Sequence, residues 1–206
     1  MQNFRRPRPV GFQMEVSLLD TGMTISRTVD VPARLRLKQL HTVLQLAMGW
    51  QNSHLYEFRW GPYFISEDPE GDLYDYENPD LVRDAGEETV ARLGLGRDSL
   101  LTYLYDFGDH WVHLIRVMYE LYQPVLRPRV IAGEGACPPE DVGGIGGYAE
   151  FLEAWSDPEH EEHDRMVEWA TDWYTPGPFD VAKADERLAR RFPGRRVKGA
   201  APPAAR

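Results

Sequence analysis

The sequence predicts one α+β domain in which helices pack on a mainly antiparallel sheet. The chain has 206 residues, of which 42% are hydrophobic and 12% aromatic. This composition is typical of a packed core large enough to fold without metal or disulfide support. The predicted elements run strand, strand, helix, strand, strand, then a hairpin, then helices. The links between consecutive strands are too short for a parallel crossover, which favours antiparallel pairs.

The first half of the chain predicts two hairpins around a helix. Strands are predicted over 10–19 and 24–31, with a glycine-containing turn between them. Leucines and other apolar residues recur at helical spacing over 37–50, which predicts an amphipathic helix. Aromatic-rich segments at 54–60 and 63–66 predict two short strands around Gly61-Pro62. They are followed by an acidic loop over 67–88 that holds ten carboxylates.

The second half predicts a hairpin, a loop and then helices. A turn at 106–110 separates strands at 100–105 and 111–120, and the glycine- and proline-rich stretch 133–147 is predicted as a loop. Three helices are predicted after it, at 148–155, 159–172 and 181–191. No internal repeat interrupts this order, so the main domain is expected to span 10–191. Residues 1–9 form a basic extension, and 192–206 a basic tail expected to be disordered.

Charge is distributed unevenly along the chain. The formal net charge is -10, yet 1–8 and 187–206 contain ten basic residues and no acid. The remaining body carries 13 basic and 33 acidic residues, a net of -20. Such a body repels a phosphate backbone, which argues against non-specific nucleic-acid binding by the folded part. Only the basic tail leaves a nucleic-acid-binding accessory role open.

The sequence favours a cytoplasmic protein. No stretch approaches the roughly 18 to 20 consecutive apolar residues that a membrane-spanning helix needs. The basic N-terminal residues are not followed by an apolar signal region. Cys137 is the single cysteine, so no intrachain disulfide is possible. We therefore expect no membrane association.

The segment YDFGDHWVH contains the first candidate functional residues. Asp106 and Asp109 flank a turn, where a carboxylate can accept backbone N–H hydrogen bonds. Strand alternation places Trp111, His113 and Ile115 on one face, so His113 points toward the core or a cleft. Asp106, Asp109 and His113 could therefore supply metal ligands or an oriented general base. The alternative is a rigid turn beside a core histidine.

The segment PPED contains the second group of candidates. Pro138 and Pro139 stiffen the loop that presents Glu140 and Asp141. These acids could complete a divalent-metal site with Asp109 and His113, because oxygen and imidazole ligands suit Mn, Fe or Zn. They could instead cap the following helix or pair with arginines. His54 begins an aromatic strand and is a further candidate. The candidate cleft comprises Asp106, Asp109, His113, Glu140, Asp141 and His54.

Three segments in order resemble the plasmid pRiA4b ORF-3-like family. They are LHTVLQLAMGWQNSHLYEF (40–58), YLYDFGDHWVHLI (103–115) and GEGACPPEDVGGIGGYAEFL (133–152). The resemblance covers about 10–190 and implies an α+β fold and an association with plasmids and insertion sequences. It implies no established activity. Relatives often carry further cysteines where this chain has Val130 and Val142, so a thiolate metal site cannot be transferred to Cys137 alone.

Three functions follow from these observations. The first is a non-enzymatic binding or accessory module, associated by family with plasmids and transposable elements and acting on a protein or small-ligand partner. The second is a divalent-metal-dependent enzyme, for example a phosphoester hydrolase, built on the YDFGDxWxH and PPED motifs. The third is a nucleic-acid-binding accessory that uses the basic tail.

Overall fold

An eight-stranded sheet forms the centre of the computed structural model, which describes residues 7–67, 79–171, 174 and 177–194. Its strands lie in the order β5-β4-β3-β6-β7-β1-β2-β8, and all neighbours are antiparallel except β4 and β5. The strand bounds are β1 Gly11–Leu18, β2 Ile25–Pro32, β3 Tyr56–Trp60, β4 Tyr63–Ser66, β5 Val82–Asp84, β6 Leu100–Tyr105, β7 Trp111–Leu121 and β8 Arg129–Glu134.

The N-terminal hairpin lies within the sheet and supplies part of its core. β1 pairs with β2 on one side and with β7 on the other. Every second side chain of β1 is buried, namely Phe12, Met14, Val16 and Leu18. Alternate burial of this kind is what a strand with one face on a core requires. The predicted hairpin is therefore confirmed.

Four α-helices pack around the sheet: α1 Leu37–Met48, α2 Gly144–Ser156, α3 His163–Ala170 and α4 Val181–Arg191. α1 lies against α4, α4 lies against β8, and α2 contacts α3. The apolar stripe predicted for α1 is buried, including Leu37, Leu40 and Leu44. The α+β class with a mainly antiparallel sheet is confirmed.

Several element boundaries differ from the prediction. β5 and β8 were not predicted, and β5 adds the single parallel pair. α2 begins at Gly144, inside the stretch predicted as a loop, because Gly143 and Gly144 turn the chain at positive φ directly into the helix. α3 starts at His163 rather than at 159, since residues before it form turns. Much of the acidic loop, 68–78, and residues 195–206 of the basic tail lie outside the described residues.

Among the described ranges, no helix combines the length and apolarity that crossing a membrane requires.

Cys137 is a free cysteine. Burial raises the pKa of its thiol, so the group is held in its neutral form. This favours an inert thiol over a nucleophile.

Candidate metal centre

Three loops meet at one end of the sheet. His54 lies just before β3 and Asp106 just after β6, and these strands pair antiparallel with Tyr56 opposite Tyr105. The pairing therefore brings the two residues to the same edge. The third loop follows β8, and the Trp50 indole fixes it by donating a 3.0 Å hydrogen bond to the Pro138 carbonyl.

The turn between β6 and β7 orients Asp106. Its backbone has a positive φ of 56°, and its carbonyl accepts from the His110 N–H at 2.7 Å. Oδ1 accepts from the backbone N–H groups of Gly108 at 2.9 Å and Asp109 at 3.3 Å. These bonds fix the carboxylate, and Oδ2 is left facing His54 at 3.6 Å.

His54 Nε2 lies among three carboxylates. It is 3.1 Å from Asp141 Oδ1, 3.6 Å from Asp106 Oδ2 and 3.8 Å from Glu140 Oε2. The nitrogen atom is buried, and none of these contacts has the geometry of a hydrogen bond. A buried ring nitrogen of this kind is costly unless another partner satisfies it. Three carboxylates thus surround this nitrogen at 3.1 to 3.8 Å.

The Glu140 side chain is about as enclosed as that of Asp106. It is only 9% exposed. Oε1 accepts from the Gln51 backbone N–H at 2.7 Å, and the Tyr105 hydroxyl lies 3.1 and 3.2 Å from the two carboxylate oxygens. Desolvation raises the pKa of Glu140 above its ordinary value, although these donated hydrogen bonds oppose the shift. The raised pKa makes this carboxylate a stronger base than an ordinary glutamate.

Two donor-atom distances, 3.1 Å from His54 Nε2 to Asp141 and 3.6 Å to Asp106, are those of ligands around one divalent cation. His54 Nε2, one Asp106 oxygen and one Asp141 oxygen all lie within 4.8 Å of one another. Ligands about 2.0 to 2.2 Å from a common ion are separated from each other by about 3.0 to 3.6 Å. Three protein ligands leave coordination positions open, as in catalytic rather than structural sites. His54 and Asp106 also line a cavity of about 440 Å³.

The structure brings together four of the six candidate residues: His54, Asp106, Glu140 and Asp141. Asp109 lies in the same turn but its Oδ2 accepts from the Gly143 N–H at 3.2 Å, at the start of α2. It therefore ties the turn to the helix instead of facing His54.

His113 lies in the core, away from the cluster. It is fully buried, and its Nδ1 is 3.1 Å from the Trp111 carbonyl and 3.3 Å from that of Tyr103. The Trp50 ring packs edge-on against it at 5.2 Å. Burial lowers its pKa to about 4, so it is neutral at physiological pH. The structure thus separates His113 from the acids of the predicted set Asp109, His113, Glu140 and Asp141. Strand alternation turned His113 inward, beneath Trp50, and the imidazole that lies near the acids is that of His54.

Sequence reasoning missed three supporting residues. Tyr105 links Glu140 to the His54 loop, because its hydroxyl also accepts from the Ser53 N–H at 3.1 Å. Gln51 and Trp50 hold the PPED loop through one hydrogen bond each. Only the position of Trp50 beside a predicted helix end was visible in the sequence, and an aromatic residue there carries no functional signal.

The family model described as "Plasmid pRiA4b ORF-3-like protein" matches residues 10–183. The chain belongs to this family. All four clustered residues and the three segments that carried the resemblance lie within the matched range.

Two other proteins are similar to this chain. The chain is 43% identical over 163 residues to uncharacterized protein y4hQ of Sinorhizobium fredii, a match that covers 76% of this chain and 79% of the relative. It is also similar to the crystal structure of MM3350, a protein of unknown function from Methanosarcina mazei Go1. That likeness has a TM-score of 0.71 and 28% identity, and covers 85% of this chain and 97% of MM3350.

Proposed function

We propose that the protein is a divalent-metal-dependent enzyme of the hydrolase type, with its metal held by His54, Asp106 and Asp141. The observation that carries the proposal is the buried His54 Nε2, which has carboxylate oxygens 3.1 to 3.8 Å away and no hydrogen bond. Mixed imidazole and carboxylate ligation suits Mn, Fe or Zn. The negative charge of the acids stabilises a cation that this buried nitrogen can ligate.

Each residue has a distinct role in this proposal. Asp106 is fixed by its turn, so its Oδ2 is held in place before a cation arrives. Asp141 is exposed, with 71% of its side chain accessible, and can adjust as the site fills. Glu140, whose Oε2 lies 3.8 Å from His54 Nε2, is the carboxylate that we assign as proton acceptor, and Tyr105 orients it. Phosphoesters are the substrate class we would assay first.

A non-enzymatic binding or accessory role remains the alternative. Asp109 supports it in part, because its carboxylate is used in a structural hydrogen bond to Gly143. A protein that only binds a cation would share the His54 site but would not need a proton acceptor beside it. A nucleic-acid-binding role for the basic tail is a separate proposal. The structure does not bear on it, because 195–206 lie outside the described residues.

Calorimetric titration of the full chain with Mn²⁺, after removal of metals with EDTA, tests the site. Wild type is expected to bind one ion, and Asp141→Asn to bind it at least about tenfold more weakly. Asn tolerates the positive φ of 57° at this exposed position, so the fold is expected to persist. The control is Asp109→Asn, which removes a nearby charge outside the cluster. Absence of binding, or equal losses in both variants, would contradict the proposal.

Activity separates the enzyme from the binding module. Bis(p-nitrophenyl) phosphate hydrolysis is expected to require Mn²⁺. Glu140→Gln is expected to reduce turnover by about 10²-fold or more while Mn²⁺ still binds. If Mn²⁺ binds to wild type without turnover of any phosphoester offered, the cation site stands and the accessory role replaces the enzymatic one.

A further inference from the structure

A second cavity, of about 580 Å³, lies on the other side of the segment that carries Trp50 and Gln51. Its walls come from the end of α1, the loop 136–140 and the start of α4. Three basic side chains line it, Arg27, Lys183 and Arg187, together with two acids, Glu140 and Asp180. The basic side chains outnumber the acids here, whereas the chain as a whole has a formal net charge of -10.

Arg27 is a fixed, buried charge at the base of this cavity. It is 1% exposed, and its guanidinium donates to four backbone carbonyls, those of Ala47, Ser26, Glu134 and Gly135. Its guanidinium carbon lies 3.7 Å from the centre of the Phe179 ring. Burial lowers the pKa of Arg27 to about 10, so it stays protonated at neutral pH. Within the described part of the chain it forms no salt bridge.

Arg187 brings unused donors to the same cavity. Its Nε donates to the Leu46 carbonyl at 3.0 Å, which satisfies one carbonyl at the end of α1. Its two terminal nitrogens have no hydrogen-bond acceptor among the residues described. Burial lowers its pKa, while the charge of the nearby Asp180 carboxylate acts in the opposite direction. Lys183 stands one helical turn earlier, exposed and likewise outside any ion pair of the described chain.

The acids of α4 are engaged elsewhere. Asp185 pairs with Arg127 at 2.7 Å, and Glu186 pairs with Arg190 at 2.7 Å. Asp180 caps its own helix by accepting from the Lys183 N–H. The acids of the helix therefore pair with Arg127 and Arg190, and Lys183 and Arg187 line the cavity without an ion pair among the described residues.

We propose that this cavity binds an oxyanion, a phosphate or carboxylate group of a small ligand. Arg187 offers a planar pair of N–H donors suited to such a group, Lys183 adds a mobile charge, and Arg27 supplies a fixed positive potential. Glu140 lines this cavity and also lies 3.8 Å from His54 Nε2. A bound oxyanion would therefore sit next to the proposed metal site. The inference does not rest on the cation site.

Thermal unfolding of the full chain with added inorganic phosphate or acetate tests the oxyanion site. The buffer contains EDTA, and chloride keeps the ionic strength equal in all samples. Either anion is expected to raise the melting temperature of wild type, because a ligand that binds only the native state stabilises it. Arg187→Gln and Lys183→Gln are each expected to weaken the anion's apparent affinity at least about tenfold. Arg190→Gln, which removes the same charge outside the cavity, is expected to retain it.

The change in melting temperature distinguishes a phosphate-bearing ligand, a carboxylate ligand and the absence of an oxyanion site. A shift with phosphate alone identifies a phosphate-bearing ligand, and a shift with acetate alone a carboxylate, provided the cavity variants abolish it. No shift with either anion overturns the proposal, and so does an equal loss in Arg190→Gln. Lys183 is exposed, so its variant remains informative if Arg187→Gln fails to fold. EDTA keeps failure here distinguishable from failure of the Mn²⁺ titration.

Discussion

His54 and His113 occupy opposite kinds of environment, although the sequence offers both as metal ligands. His113 is sealed under Trp50 and faces two backbone carbonyls. His54 lies at the end of the sheet, where its Nε2 faces three carboxylates and a cavity. Alternation along a strand identifies an inward-facing histidine but not what it faces. The difference shows that the acids, not the burial of the imidazole, mark the candidate site.

Acid should destabilise the protein through its buried histidines, which is the largest effect we expect. His41 and His113 both have a pKa lowered from 6.5 to about 4 by burial, so the unfolded state binds more protons between these values. Unfolding free energy therefore falls as pH drops from 6.5 to 4, by about 3 kcal/mol for each histidine. Above pH 6.5 both states are neutral and the dependence disappears.

Urea denaturation at a series of pH values measures this effect. His113→Leu is expected to remove about half of the acid sensitivity, because it removes one of the two buried titrating groups. His160→Ala, in a partly exposed turn before α3, serves as the control and should follow wild type. If His113→Leu keeps the full acid dependence, the sealed environment assigned to His113 is wrong.

Gly144→Ala should disturb the cluster of acids around His54. A Cβ at this position would lie 2.6 Å from the Asp109 carbonyl oxygen, and Gly144 has a positive φ of 66°. The added strain should lower the unfolding free energy by about 1 to 3 kcal/mol. Because the turn and the PPED loop meet here, Mn²⁺ affinity should fall too.

Gly146→Ala provides a matched control in the same helix. A Cβ there meets nothing within 4 Å, and alanine is the better helix former, so stability should rise by up to about 1 kcal/mol. Denaturation and Mn²⁺ titration of both variants measure the contrast. Equal behaviour of the two alanine variants would contradict the close approach of the loops.

Tyr105→Phe should have the smallest effect. It removes the hydroxyl that contacts Glu140 and accepts from Ser53, at a cost of about 1 kcal/mol. Since the donated hydrogen bond lowers the pKa of Glu140, its loss should raise that pKa further and move the pH dependence of Mn²⁺ binding or turnover upward. Tyr119→Phe, on an exposed ring, is the control. An unchanged pH profile in Tyr105→Phe would remove its role in positioning Glu140.

Local patterns predicted much of the fold and the identity of most cluster residues. Alternation located β1 and β2, and helical spacing located α1, because each has one buried face. β8 was missed because its residues are largely exposed and include Gly133. The site depends on long-range pairing of β3 with β6, which no local pattern encodes. His54 therefore entered as a weak candidate, although the structure places it at the centre.

A crystal of the full chain soaked in Mn²⁺, with anomalous difference maps, tests the claim that His54, Asp106 and Asp141 hold a metal ion. One strong peak is expected about 2.0 to 2.3 Å from His54 Nε2 and from an oxygen of each of Asp106 and Asp141. Glu140 should lie beside the ion and keep its contact with Tyr105. No peak at His54, or manganese bound only to acids elsewhere on the surface, would contradict the claim.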